Sequence, residues 1–215
     1  MNILTDKYQI KNKIGSGAHG IIYNAKSLQN NQHYAIKIEK KNNTNVIDEI
    51  YYLKKLQEID NVVKMFSYGT YYENYYFVME KLGITIDDYF YLNPKKKQFL
   101  VYLKQIFSAL EHIHKKGIIH RDIKPDNLLL NLDQSKVYLI DFGLAKYYVD
   151  KEKKHKKPKM KKGLIGTVKF ASIFNHEGFQ LSRRDDLISL MYSIIYILKK
   201  TLPWENMNDN NRFLK

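Results

Sequence analysis

Eight residues near the middle of the chain, His120–Asn127, read HRDIKPDN and lie between the apolar runs GII and LLL. Three basic side chains, two carboxylates, a proline and an amide make a poor core and exceed what a plain turn needs. Charged groups at that density point to chemistry, and the remaining question is whether the rest of the chain supplies its other half.

There is enough chain to build a core around the octet. At 215 residues it makes one domain or two small ones, and a hydrophobic fraction of 44% argues against disorder. No apolar stretch approaches the roughly 20 residues of a membrane helix. The longest, LISLMYSIIYIL (Leu187–Leu198), fits a buried helix, and the N-terminus lacks a signal-peptide apolar region. The absence of cysteine excludes disulfides and thiolate chemistry, which makes the cytosol or nucleus the default location. The formal charge of +14 admits nucleic acid, acidic membranes or acidic proteins as partners. Much of it sits in KEKKHKKPKMKK (Lys151–Lys162), with eight lysines in twelve residues.

Periodicity divides the chain. YQIKNKI (8–14), IIYNAK (21–26) and HYAIKIE (33–39) read as strands, and NVIDEIYYLKKLQEI (45–59) carries Val46, Ile50, Leu53 and Leu56 at helical spacing. NVVKMFSYG and NYYFVMEKL read as a hairpin turning at Glu73–Asn74. Beyond Leu82 the pattern is helical. Asn93 and Pro94 suggest an N-cap and first position for a helix that ends at Gly117, with Phe99, Leu103, Ile106, Phe107, Leu110 and Ile113 as its apolar stripe. His112 and His114 on that helix read as packing or surface residues rather than ligands. Ser182 and Asp185 form a capping-box pattern for a helix over 183–199.

Several other residues complement the octet. GSGAHG (Gly15–Gly20) is followed by the strand pattern Ile21–Tyr23, so it is either an ordinary glycine-rich hairpin or a flap whose backbone amides cover phosphates. Alternation points Ala35 and Lys37 to one face of their strand. A lysine there loses solvation unless it meets an anion, and Glu49 is a candidate partner. Asn127 and Asp141 are oxygen ligands of the type Mg²⁺ prefers beside phosphates. Asp122 suits a hydroxyl, Lys124 a phosphate, and the glycine of DFG permits unusual dihedrals after Asp141.

In this order the glycine loop, AIK, the helix glutamate, HRDIKPDN and DFG resemble the protein-kinase signatures. GTVKFASIFN, SRRDDL and MEKLGITIDDYF resemble the casein kinase 1 family of serine/threonine kinases, over Tyr8–Trp204. The resemblance implies an α+β, bilobal kinase fold: an N-lobe and hinge over 1–82, with an antiparallel sheet and one helix, and a mainly helical C-lobe over 83–215. It implies ATP and Mg²⁺ as cofactors. Gly15, Ser16, Gly17 and Gly20 would cover the phosphates, and Lys37, paired with Glu49, would bind them. Ile22, Ala35 and Leu129 would enclose the adenine, beside Met79, the hinge residues Glu80 and Leu82, and Asp88 toward the ribose. Asn127 and Asp141 would hold the metal, while Asp122 and Lys124 would act on the hydroxyl and phosphate. Asp186 would be structural.

Acidic or phosphorylated proteins are the substrates so implied, with Lys169 as a phosphate contact and the lysine run beside them. A nuclear-import or nucleic-acid role for that run stays open. The chain departs from the family at His19, Lys169, Phe174 and Met191. It also stops after TLPWENMNDNNRFLK, where the family continues, so a C-terminally short lobe with apolar surface for a partner is expected. A non-catalytic binding module is the alternative function.

Overall fold

The computed structural model describes residues 3–17, 20–41, 45–157, 159–160 and 163–205. Alternating side chains in the first third produce one antiparallel sheet. Its strands are β1 (Ile3–Leu4), β2 (Tyr8–Gly17), β3 (Gly20–Ser27), β4 (His33–Lys40), β5 (Met65–Tyr71) and β6 (Asn74–Glu80). They lie in the order β1-β2-β3-β4-β6-β5. On β4, Ile36 joins Leu4, Ala25, Tyr76 and Val78 in a cluster on one face, while Ala35 and Lys37 are buried on the other.

Helix α1 (Asn45–Leu56) lies between β4 and β5 in the chain, with Val46, Glu49, Ile50, Leu53 and Leu56 buried. It ends earlier than the periodicity of residues 45–59 suggests. Gln57 accounts for the stop: its amide donates to the carbonyls of Leu53 and Val63 and accepts from the Met65 N–H. Two further expectations are corrected. The hairpin turns at Tyr72–Glu73, because Tyr71 pairs with Asn74, and Tyr72 adopts φ +50°. Val62 and Val63 are not part of the β5 strand; Val62 bridges Leu139 in parallel and the Val63 N–H donates to the Leu139 carbonyl, tying the approach to β5 into the second lobe.

The second lobe opens with α2 (Ile86–Leu92), which the sequence reading did not contain. Thr85 caps it by accepting from the Asp88 N–H. Asn93 caps the C-terminus of α2 through its own N–H to the Tyr89 carbonyl, and α3 (Lys96–Lys115) begins later, after Lys95, without a side-chain cap. Asn93 therefore closes α2 and does not open α3. The buried stripe of α3 is Phe99, Tyr102, Ile106, Ala109, Leu110 and Ile113, whereas Phe107 is exposed. Short strands follow: β7 (Ile118–Ile119), β8 (Leu128–Leu130), β9 (Val137–Leu139) and β10 (Lys146–Tyr147), paired as β7 with β10 and β8 with β9. Helices α4 (Ile173–His176) and α5 (Arg183–Lys199) complete the described chain, and α5 carries the anticipated Ser182–Asp185 capping box.

One hydrophobic cluster runs through both lobes. It joins Ala35, Phe77 and Met79 of the sheet and Leu53 of α1 to Ile106 and Leu110 of α3, Leu128 and Leu139, and Leu190 and Ile197 of α5. Among the described residues, Leu187, Met191, Ile195 and Leu198 leave an exposed apolar stripe along α5, at 39–48% exposure. Met191 therefore meets no packing conflict here. Phe174 lies beneath the Arg184 guanidinium, 3.7 Å from the ring centre, while His19 falls outside the described residues.

Candidate active site

The sheet and the second lobe enclose a cleft of about 990 Å³. Its roof is lined by Gly15, Ser16, Gly20 and Ile22, its back by Lys37, Glu49 and Met79, and its floor by Asp122, Lys124, Asn127, Leu129 and Asp141, with Asp88 at the rim. Ala35 is buried in the strand behind, and Leu82 packs on the core. Glu80 uses its N–H on the Lys64 carbonyl, and one of its carboxylate oxygens is buried without a partner among the described residues. Gly17 ends β2 and pairs with Gly20.

Alternation on β4 and helical spacing on α1 bring Lys37 Nζ to 2.6 Å from Glu49 Oε2, and Asp141 Oδ1 lies 3.6 Å from the same ammonium. Complete burial raises the Glu49 carboxyl to about 7 despite the nearby Lys37. Burial also disfavours the Lys37 charge, but Glu49, Asp141 and Glu39 together outweigh it, so its pKa lies above the ordinary lysine value. Both shifts are upward. On Lys37 the neighbouring carboxylates outweigh burial and favour the ammonium, whereas on Glu49 burial outweighs the neighbouring cation and favours the neutral acid.

Across the cleft, Asp122 Oδ1 accepts from both the N–H and the hydroxyl of Thr167, each at 2.8 Å. Lys124 Nζ sits 3.0 Å from Asp122 Oδ2 and donates to Thr167 Oγ1 at 3.0 Å. Asn127 Nδ2 donates to the Asp122 carbonyl at 2.9 Å, which commits the NH₂ end of the amide and leaves its oxygen for a cation. Asp141 takes φ +63°, a left-handed conformation uncommon for a non-glycine residue. The octet is held from below by Asp186 on α5. Its Oδ1 accepts from the Arg121 N–H, and its Oδ2 accepts from the His120 N–H and pairs with His114 Nε2.

Lys169 is elsewhere. Its ammonium pairs with Glu205 and lies 3.5 Å from the Tyr196 ring centre, while its carbonyl accepts from Trp204 Nε1. Residues 149–155, at the start of the basic run, form a turn in which Asp150 Oδ1 accepts from the N–H groups of Glu152 and Lys154. Lys151, Lys153, Lys154 and Lys157 are exposed there; Pro158, Lys161 and Lys162 lie outside the described residues. The sequence reading missed Thr167, although a hydroxyl directly after Gly166 was visible in GTVKF.

A lysine held by a buried carboxylate, facing an aspartate, an asparagine and a second lysine across an interlobe cleft, defines a phosphoryl-transfer architecture. Comparison with known families agrees: the protein kinase domain matches residues 8–215, and the chain belongs to that family. It is therefore a protein kinase, and kinase domains generally use ATP and Mg²⁺. The donor set fits such a metal. Among the described residues no three acidic or histidine side chains gather into a metal site, so Asp141 and the Asn127 oxygen would need phosphate and water as further ligands.

Two outcomes follow from this geometry. Gly166 has φ +82°, and a Cβ there would lie 2.5 Å from the Arg121 carbonyl oxygen and 3.0 Å from Asp122 Oδ1. Gly166→Ala is expected to lower kcat at least about 100-fold, because displacing a catalytic group by about 1 Å costs that much; a rate assay on folded protein would show it. The Glu49 pKa gives the second. The folded protein holds this proton more tightly than the unfolded chain, so Glu49's stabilising contribution is full below about 4.5 and is lost as pH rises through about 7. The Lys37–Glu49 ion pair behaves oppositely and forms only as Glu49 ionises. Lowering pH from 8 to 6 is expected to reduce kcat/KM for ATP without any Glu49-linked fall in the unfolding midpoint, and Glu49→Gln should lack that pH limb.

Proposed function

We propose that the chain is an ATP-dependent serine/threonine protein kinase of casein kinase 1 type, acting in the cytosol or nucleus on acidic or phospho-primed proteins. The observation that carries the serine/threonine assignment is Lys124, bonded to both Asp122 and Thr167. A cation beside the aspartate supports a site suited to a small aliphatic hydroxyl and a phosphate. The substrate hydroxyl oxygen bonds to the γ-phosphorus, the bond from that phosphorus to the β,γ-bridging oxygen breaks, ADP departs, and the hydroxyl proton passes to Asp122. Asp122 is a weak base, which suffices for a loose transition state with little early proton demand.

Each remaining residue takes the role its position suits. Lys37, held by Glu49, binds the α- and β-phosphates, and the backbone of Gly15, Ser16, Gly17 and Gly20 covers them. Ile22, Ala35, Met79 and Leu129 enclose the adenine, Glu80 and Leu82 offer hinge backbone groups, and Asp88 reaches the ribose. Asn127 and Asp141 hold Mg²⁺, which neutralises charge on the phosphates when bound. The exposed lysines Lys151, Lys153, Lys154 and Lys157 attract acidic residues, and the Lys169 pair with Glu205 opens to receive a substrate phosphate.

The test is transfer from labelled ATP to an acidic protein and to a phosphoserine-primed peptide, with Asp122→Asn beside the wild type. Transfer lost in the variant is expected; equal transfer by both would overturn the assignment. Replacing Lys151, Lys153, Lys154 and Lys157 with glutamine should raise KM for the acidic substrate severalfold at low salt and leave kcat unchanged. An unchanged KM would remove the lysine run from substrate recognition.

A further inference from the structure

Glu39 has no part in the reading above, yet its position demands a reason. It follows Lys37 by two residues on β4, so both side chains lie on the same face of the strand. Glu39 is 5% exposed, and among the described residues neither of its carboxylate oxygens has a hydrogen-bond partner. A Cβ at Gly20 would lie 3.3 Å from the Glu39 Cβ, which makes Glu39 the cross-strand neighbour of the glycine that ends the loop. Burial raises its pKa, while Lys37 favours the ionised form and Asp141 opposes it.

As a structural element Glu39 is a liability, since an acceptor buried without donors is more costly than an apolar side chain of the same shape. Nor is it needed to hold Lys37, whose ammonium already has Glu49 at 2.6 Å and Asp141 at 3.6 Å. What remains is its charge. Along β4 the order Ala35, Lys37, Glu39 runs from the proposed adenine end of the cleft to and past the phosphate end.

We infer that Glu39 is a specificity-determining residue that loosens the cleft's grip on nucleotide phosphates, so that nucleoside polyphosphates bind more weakly than Lys37 and the glycine loop alone would dictate. The inference rests on the nucleotide reading of the cleft. Its consequence is faster departure of the diphosphate product, which carries several negative charges and leaves through the same region. A like charge opposes the phosphates, whereas an uncharged nucleoside is indifferent to it.

The experiment compares the dissociation constants of ATP with Mg²⁺ and of adenosine by calorimetry at pH 8, for the wild type, Glu39→Gln and Glu39→Asp. Glu39→Gln is expected to bind ATP about tenfold tighter with adenosine unchanged, and Glu39→Asp, which keeps the charge, to match the wild type. A structural role would shift ATP and adenosine together. ATP binding that is unchanged or weaker in Glu39→Gln, or that changes in step with adenosine, would overturn the inference. Wild-type protein that binds neither ligand would overturn the nucleotide reading itself, and the inference with it.

Discussion

Asp141→Asn is expected to reduce phosphate transfer by about 10³-fold or more while leaving the fold intact. The substitution removes a charge and little else. Asparagine tolerates a left-handed backbone as well as aspartate does, so the φ of +63° at this position survives. Lys37 keeps its 2.6 Å bond to Glu49, and the Asp141 side chain is about one-third exposed, so no core packing is lost. The deficit should appear in kcat, persist at saturating ATP, and resist added Mg²⁺, because the missing ligand is an anionic oxygen. Near-wild-type transfer, or full recovery at high Mg²⁺, would mean that Asp141 is not a metal ligand.

Asp186→Ala attacks the same site from beneath and is expected to cost about 3–5 kcal/mol of folding stability. One carboxylate, 1% exposed, receives the N–H groups of His120 and Arg121 and the ring of His114. Its removal leaves those buried donors without an acceptor, and each unsatisfied group costs about 1–3 kcal/mol. Arg121 stands at φ +74°, a conformation that persists only when its surroundings enforce it. Typical domains have about 5–15 kcal/mol in total, so denaturation in urea should shift to markedly lower concentration. Asp186→Asn keeps an acceptor oxygen and should fall between the two. A midpoint unchanged in the alanine variant would show that the octet is positioned by its flanking strands alone.

These two residues also mark how much was legible in the sequence. Motifs whose geometry is local could be read. Alternation put Lys37 on the buried face of β4, the twelve-residue step to Glu49 pointed to its partner, and Ser182 with Asp185 announced the start of α5. Signals shared between neighbouring elements were misassigned. Asn93 and Pro94 fit a helix start by composition, but the chain first had to close α2, and the Asn93 N–H was taken for that. The start of α2 had its own capping signal in Thr85 and Asp88, hidden inside a segment read as a hinge. Contacts fixed only by tertiary structure were beyond sequence reasoning: Val62 on Leu139, Thr167 on Asp122, and the orphaned carboxylate of Glu39.

The setting of Lys169 bears on how such a protein could diversify. Its side chain is held by Glu205 and Tyr196, and its backbone by Trp204, which itself packs on Tyr192. The 3-10 turn Val168–Phe170 that carries Lys169 is therefore shaped by α5 and by the residues after it as well as by its own sequence. Grafting residues 167–170 into a related scaffold would transplant the letters without their conformation. Any inherited change of preference at this position has to arise by paired substitutions, one in the loop and one some thirty residues downstream.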